Sequence, residues 1–127
     1  MAMTLITTNT SSNAASSSFT SSIDSTYKLY IFKFYDVNPA TDGATLMFQG
    51  NATDNTGYGE TITSSMFRAQ ERESGGDAAI AYVTAGDQGQ GTAFQQISRE
   101  SGGDADQSTA GTLWLFNPSN TTYVKHF

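Results

Sequence analysis

The sequence contains no cysteine. That excludes a disulfide framework, a cysteine-ligated zinc site and thiol catalysis, and it says little about redox compartment. Proline is scarce, with 2 residues in 127. Charge is sparse too: Asp, Glu, Lys and Arg make up 14% of the chain, against about 25% in an average domain. The basic sign is the scarcer. Lys and Arg number 6 against 12 Asp and Glu, a formal net charge of −6. A nucleic-acid binder needs a basic face to neutralise phosphates, so that class of partner is excluded. An electrostatic anchor on anionic lipid is disfavoured for the same reason. No apolar run approaches the ~18 residues of a membrane helix, and no membrane partner is expected. No Lys or Arg precedes Lys28, and Met1 to Leu5 is too short for the apolar core of a secretory signal.

Hydroxyl residues take the place of charge. The chain has 15 serines and 18 threonines, together 33 of 127 residues. Aromatics are plentiful at 12%, which argues against disorder and for a packed core. The length suits one domain, burying about 65% of the unfolded chain's surface. Residues 1–26 stand apart in composition. Thr7 to Ser25 is mostly Ser, Thr, Asn and Ala, with no charge before Asp24. Two readings fit: a flexible N-terminal arm, or an edge strand in which Ala15, Ser17 and Phe19 alternate with Ser16, Ser18 and Thr20. Residues 27–127 then form the domain.

The clearest strand signal is Tyr27 to Val37, dense in aromatic and β-branched residues on both faces, which predicts a central strand. Asn38 to Gly43 ends it, with Asp42-Gly43 supplying a turn that tolerates positive φ. Ala44 to Thr53 follows as a second strand, and the two read as a hairpin. Further strands are expected at Glu60–Gln70, Ala79–Thr84, Thr92–Ser98, Thr109–Phe116 and Thr121–Phe127, with a Gly-rich turn over Ala85–Gly91. No window shows a 3.6-residue period. Short strands separated by turns predict an all-β fold, an antiparallel β-sandwich of jelly-roll-like form. One heptapeptide recurs: Arg72 to Ala78 and Arg99 to Ala105 share the sequence RESGGDA. Two copies are too few for a solenoid, so they read as two equivalent turns, each leading into a strand.

Little points to catalysis. The one histidine, His126, lies at the end of the chain, where a triad is hard to fix. No G-x-S-x-G elbow, dinucleotide fingerprint or phosphate loop is present. Glu60, Glu71, Glu73 and Glu100 read as solvated charges at loop edges. For metal, Asp104, Asp106 and Ser108 place oxygen ligands at alternate positions, a spacing that calcium loops use, with Asp77 and Asp87 as additional oxygens. Asx-type turn capping is the competing reading. No cofactor is otherwise expected. For sugar, Tyr58, Tyr82 and Trp114 are candidate ring platforms, with Asn55, Asp87 and Gln88 as hydroxyl partners. Trp114, between Leu113 and Leu115, reads better as core or interface, and Tyr58 in Thr56-Gly57-Tyr58-Gly59 as the more exposed ring.

Several stretches resemble a known family. They are Ile23 to Tyr27, Asp36 to Gly43, Gln88 to Thr92, Asp104 to Ser108 and Leu115 to Phe127. Together they look like small virion-type proteins encoded by tailed phages, especially marine and cyanobacterial ones. The resemblance runs from about residue 15 to the end. It implies a virion setting and a structural or tail-fibre-like role. Members of that family continue past this segment with one or more further strands. An open edge and an uncovered core face are therefore expected, to be filled by a neighbouring subunit or to cause aggregation. The expectation is a non-enzymatic phage structural protein: part of a tail fibre, tail appendage or outer capsid decoration. Its partners would be other virion proteins and copies of itself, with residues 1–26 as a docking arm. The alternative is a carbohydrate-binding, lectin-like module that attaches to a host-surface glycan.

Overall fold

The computed structural model describes residues 2–72, 75–76 and 78–127. Among them the regular structure is strand, apart from one 3-10 turn at Thr84–Gly86. The strands are β1 Leu29–Val37, β2 Met47–Phe48, β3 Ile62–Ser64, β4 Phe67–Gln70, β5 Ala79–Tyr82, β6 Gln88–Gly91, β7 Gln95–Gln96 and β8 Thr109–Phe116. They pair as antiparallel two-stranded ladders: β1 with β8, β2 with β7, β3 with β6 and β4 with β5. The protein is all-β, as expected. It divides into two compact units, Met1–Ala40 with Asp104–Phe127, and Thr41–Gly103.

The first unit is built on the β1–β8 ladder. Leu29 opposes Phe116 and Phe34 opposes Gly111; a bulge between Phe34 and Val37 then shifts the register. Asp36, in that bulge, has φ 51°. Residues directly opposite share a face. Tyr30, Phe32 and Phe34 therefore lie with Leu113 and Leu115 on one face, and Leu29 and Ile31 with Trp114 and Phe116 on the other. The N-terminal segment covers the first face. Phe19 meets Phe32 edge-on at 5.4 Å, and Tyr30, 4% exposed, is buried. The Tyr30 hydroxyl donates to the Asp24 carbonyl at 3.0 Å and accepts from the Asp24 N–H at 3.0 Å. The Asp24 carboxylate in turn accepts from the Thr26 N–H at 2.8 Å. Hydrogen bonds from Thr26, and then from Tyr30, hold that carboxyl below its ordinary pKa.

The second unit has shorter ladders and a small core centred on Ile62, Val83 and Gln95. The 3-10 turn brings buried Gly86 against Met66. A Cβ at Gly86 would come within 3.0 Å of the Met66 Cβ, so only glycine fits without displacing that side chain. The Asp87 carboxylate holds the same place by accepting from the Met66 N–H at 2.8 Å.

Several expectations are corrected. β1 is one of two strands in its ladder, not a central strand, and its partner is β8 rather than the next segment. The Asp42-Gly43 turn forms, with Gly43 at φ 74°. It does not close a hairpin: Gly43 N–H donates to the Ser101 carbonyl at 3.0 Å and Ser101 N–H to the Ala44 carbonyl at 2.8 Å. The strand expected over Ala44–Thr53 contracts to β2. Glu60–Gln70 breaks at Ser65 and Met66 into β3 and β4, and Thr92–Ser98 contracts to β7. The Gly-rich stretch holds a strand, β6. No strand forms between residues 2 and 28, so the alternation at Ala15–Thr20 is not a strand. Near the C-terminus only His126 bridges, to Phe116. At the described residues the two heptapeptides differ in backbone. Gly75 has φ 74° in the β4–β5 connection, while in the second copy the positive φ falls on Glu100, at 51°. Glu73, Ser74 and Asp77 of the first copy lie outside the described residues.

Candidate functional site

In the second unit, the β4–β5 pairing sets Phe67 opposite Tyr82. Their rings lie 5.2 Å apart and both are exposed. The Tyr82 hydroxyl donates to Oδ2 of Asp87. That bond to the carboxylate raises the Tyr82 pKa, since losing the proton would set two negative oxygens together. Tyr82 and Asp87 are thus brought together, and an aromatic pair stands beside a carboxylate. Tyr58 packs instead on Phe94, with centroids 6.4 Å apart. Asn55 is committed to its own loop, where its side-chain amide donates to Glu60 at 3.1 Å and its carbonyl oxygen accepts from Thr56 N–H at 2.8 Å.

Gln88 turns inward. Its amide donates to the Ala93 carbonyl at 2.9 Å, and its oxygen is buried with no hydrogen-bond partner among the described residues. It packs on Gly91, where any side chain would collide with it. It belongs to a polar network that the sequence reading missed. Gln95, 3% exposed, is the centre. Its amide donates to the carbonyls of Gly86 and Gln96, both at 2.9 Å. Its oxygen accepts from the Ser64 hydroxyl at 2.5 Å. Ser64 also accepts from the Gln88 N–H at 3.1 Å. A buried glutamine has no local sequence signal, because glutamine is mostly a surface residue.

Asp104, Asp106 and Ser108 lie in the first unit and are exposed. The Asp104–Gln107 turn closes through Gln107 N–H to the Asp104 carbonyl at 3.0 Å. Asn38 clamps it by donating to the carbonyls of Asp104 and Gln107 at 2.8 and 2.5 Å. Among the described residues no three His, Asp or Glu side chains gather as a metal site. Asp77 lies outside the described residues, and Asp87 is held by Met66 and Tyr82. A shallow polar hollow of about 250 Å³ lies beside Lys28, between Ser25 and the Asn117–Thr122 turn.

Another exposed feature is apolar. Trp114 and Phe116, 45% and 44% exposed, stack with centroids 6.5 Å apart and ring planes 18° from parallel. They lie on the β1–β8 face opposite the one that Phe19 covers. The whole chain exposes 9643 Å². A compact monomer of 13.6 kDa exposes about 6,600 Å². Two independent compact bodies of half that mass, touching nowhere, would expose about 7,900 Å². The chain exceeds even that figure by roughly 1,700 Å², and residues 2–18, every one of them exposed, account for part of it. Compared with known proteins, it matches no family model, no curated protein and no solved structure.

Proposed function

We propose that this chain is a non-enzymatic structural protein of a tailed-phage virion, part of a tail fibre, tail appendage or outer capsid decoration. The observation that carries the reading is how little apolar surface is buried: among the described residues the buried hydrophobic side chains are Tyr30, Ile62 and Val83, while Trp114 and Phe116 stay near half exposed. Isolated two-stranded ladders are marginal in water, and association supplies the missing burial. A jelly-roll-like sandwich is then the arrangement of the assembled state, with ladders of neighbouring subunits layered on one another. The phage setting rests on the sequence resemblance. Residues 2–18, which precede the Phe19 contact and carry exposed Met3 and Leu5, serve as the docking arm for other virion proteins.

The test is copy number per particle, by quantitative mass spectrometry of purified virions normalised to the portal protein. A handful to tens of copies assigns it to the tail or its fibres, and hundreds to capsid decoration. Absence from the particle overturns the reading.

A second reading is favoured by the exposed Phe67–Tyr82 pair beside Asp87. Aromatic faces with one convergent polar group suit a sugar ring, which makes this a lectin-like site for a host-surface glycan. Tyr82→Ala should then abolish binding on a glycan array. No binding by the unaltered protein to any host-surface glycan removes this reading.

A further inference from the structure

The two edges of the β1–β8 ladder differ. Asn117 N–H donates to the Lys28 carbonyl at 2.6 Å, whereas Phe116 N–H donates to the His126 carbonyl at 2.9 Å, on the other side of β8. Backbone groups alternate sides along an antiparallel strand. The N–H and C=O groups of Thr112 and Trp114 therefore point away from β1, and among the described residues no strand pairs there. Unpaired backbone groups in a row are a template for another strand.

The β1 edge carries the features that block strand addition: Lys28 and Lys33, and the bulge at Asp36. Between Thr109 and Trp114 the β8 edge carries none of them, and only at Phe116 is it closed, by the His126 bridge. Thr109 to Phe116 has no charge, no proline and no bulge up to Gly111. The net charge of −6 opposes contact between copies, except along a strip without acids. β8 is such a strip, and Lys33 opposite Thr112 is the charge nearest in the ladder.

We infer that β8 pairs antiparallel with β8 of a second copy across a twofold axis, making one four-stranded sheet β1-β8-β8-β1 with the Trp114 and Phe116 rings of both copies on the same face. Antiparallel pairing of identical strands is self-complementary and needs one surface only. The inference rests on the assembly reading above and names its partner as this chain itself.

The experiment is residue-resolved amide hydrogen exchange on the full chain, at high and low concentration, with sedimentation to record oligomeric state. The Thr112 and Trp114 amides should be protected in the oligomer and exchange freely on dilution. Leu113 and Leu115, which face β1, should be protected in both. Thr112→Pro removes only an outward N–H, so the β1 ladder survives, and dimer affinity should fall about tenfold or more. Thr112→Lys should weaken the dimer as well, by placing a charge at the edge. A monomer at every concentration overturns the inference. So does an oligomer whose Thr112 and Trp114 amides exchange freely. Presence in virions with a free β8 edge defeats this pairing and leaves the structural reading. A protected edge in a protein absent from virions does the reverse.

Discussion

The two units hold together by different means. In the first, nine residues of β1 lie against eight of β8, and aromatic and aliphatic side chains do the work across the ladder. One face is closed by Phe19 and the Asp24–Tyr30 contact. In the second, β2 and β7 are two residues each, and side-chain amides bind the backbone where ladders are short. Gln49 shows this as well as Gln95. Its amide reaches the carbonyls of Glu60, Thr92 and Ala93 at 3.0 to 3.1 Å. A long apolar ladder tolerates loss of a polar contact. A short ladder fixed by buried amides does not, since each orphaned carbonyl keeps its full desolvation cost.

Three changes test that contrast. Tyr30→Ala empties the covered face of β1 and should cost about 3–5 kcal/mol. Hydrogen exchange should show the loss in Leu113 and Leu115 while the Gln95 neighbourhood stays protected. Gln95→Ala should cost about 2–3 kcal/mol by orphaning the Gly86 and Gln96 carbonyls. Its effect should appear in β3, β6 and β7 and leave the β1–β8 ladder protected. Equal loss in both units from either change would erase the distinction. The smallest effect is pH-dependent. The Asp24 carboxyl has a lowered pKa when folded, so its contribution is present above the unfolded value of about 3.9 and is lost as pH falls through the folded one. The Thr26 amide should keep its protection from neutral pH to about 4 and lose it below. Asp24→Asn should remove that acid step.

The same contrast explains what was legible in the sequence. β1 and β8 are readable because aromatic and β-branched residues crowd into them. Their pairing is not, since Asp42-Gly43 signals a local turn and nothing local signals a partner more than seventy positions away. β6 is unreadable as a strand: Gln88-Gly89-Gln90-Gly91 has low strand propensity. Side chains of the neighbouring strand hold it, Ser64 accepting from Gln88 N–H at 3.1 Å and Thr63 from Gln90 N–H at 3.3 Å. At the candidate site, the residue types of Tyr82 and Asp87 suggested their chemistry but not the bond between them. Phe67 joins them only through the β4–β5 register. Gln95 gave no signal because its burial is a property of the packed unit.

We propose that the chain alone buries too little and that association supplies the rest. The direct measurement is the thermal midpoint as a function of protein concentration. Folding coupled to association raises the midpoint with concentration by mass action. The midpoint should climb steadily over two decades of concentration. A midpoint that stays fixed, with a sedimenting monomer throughout, would contradict it.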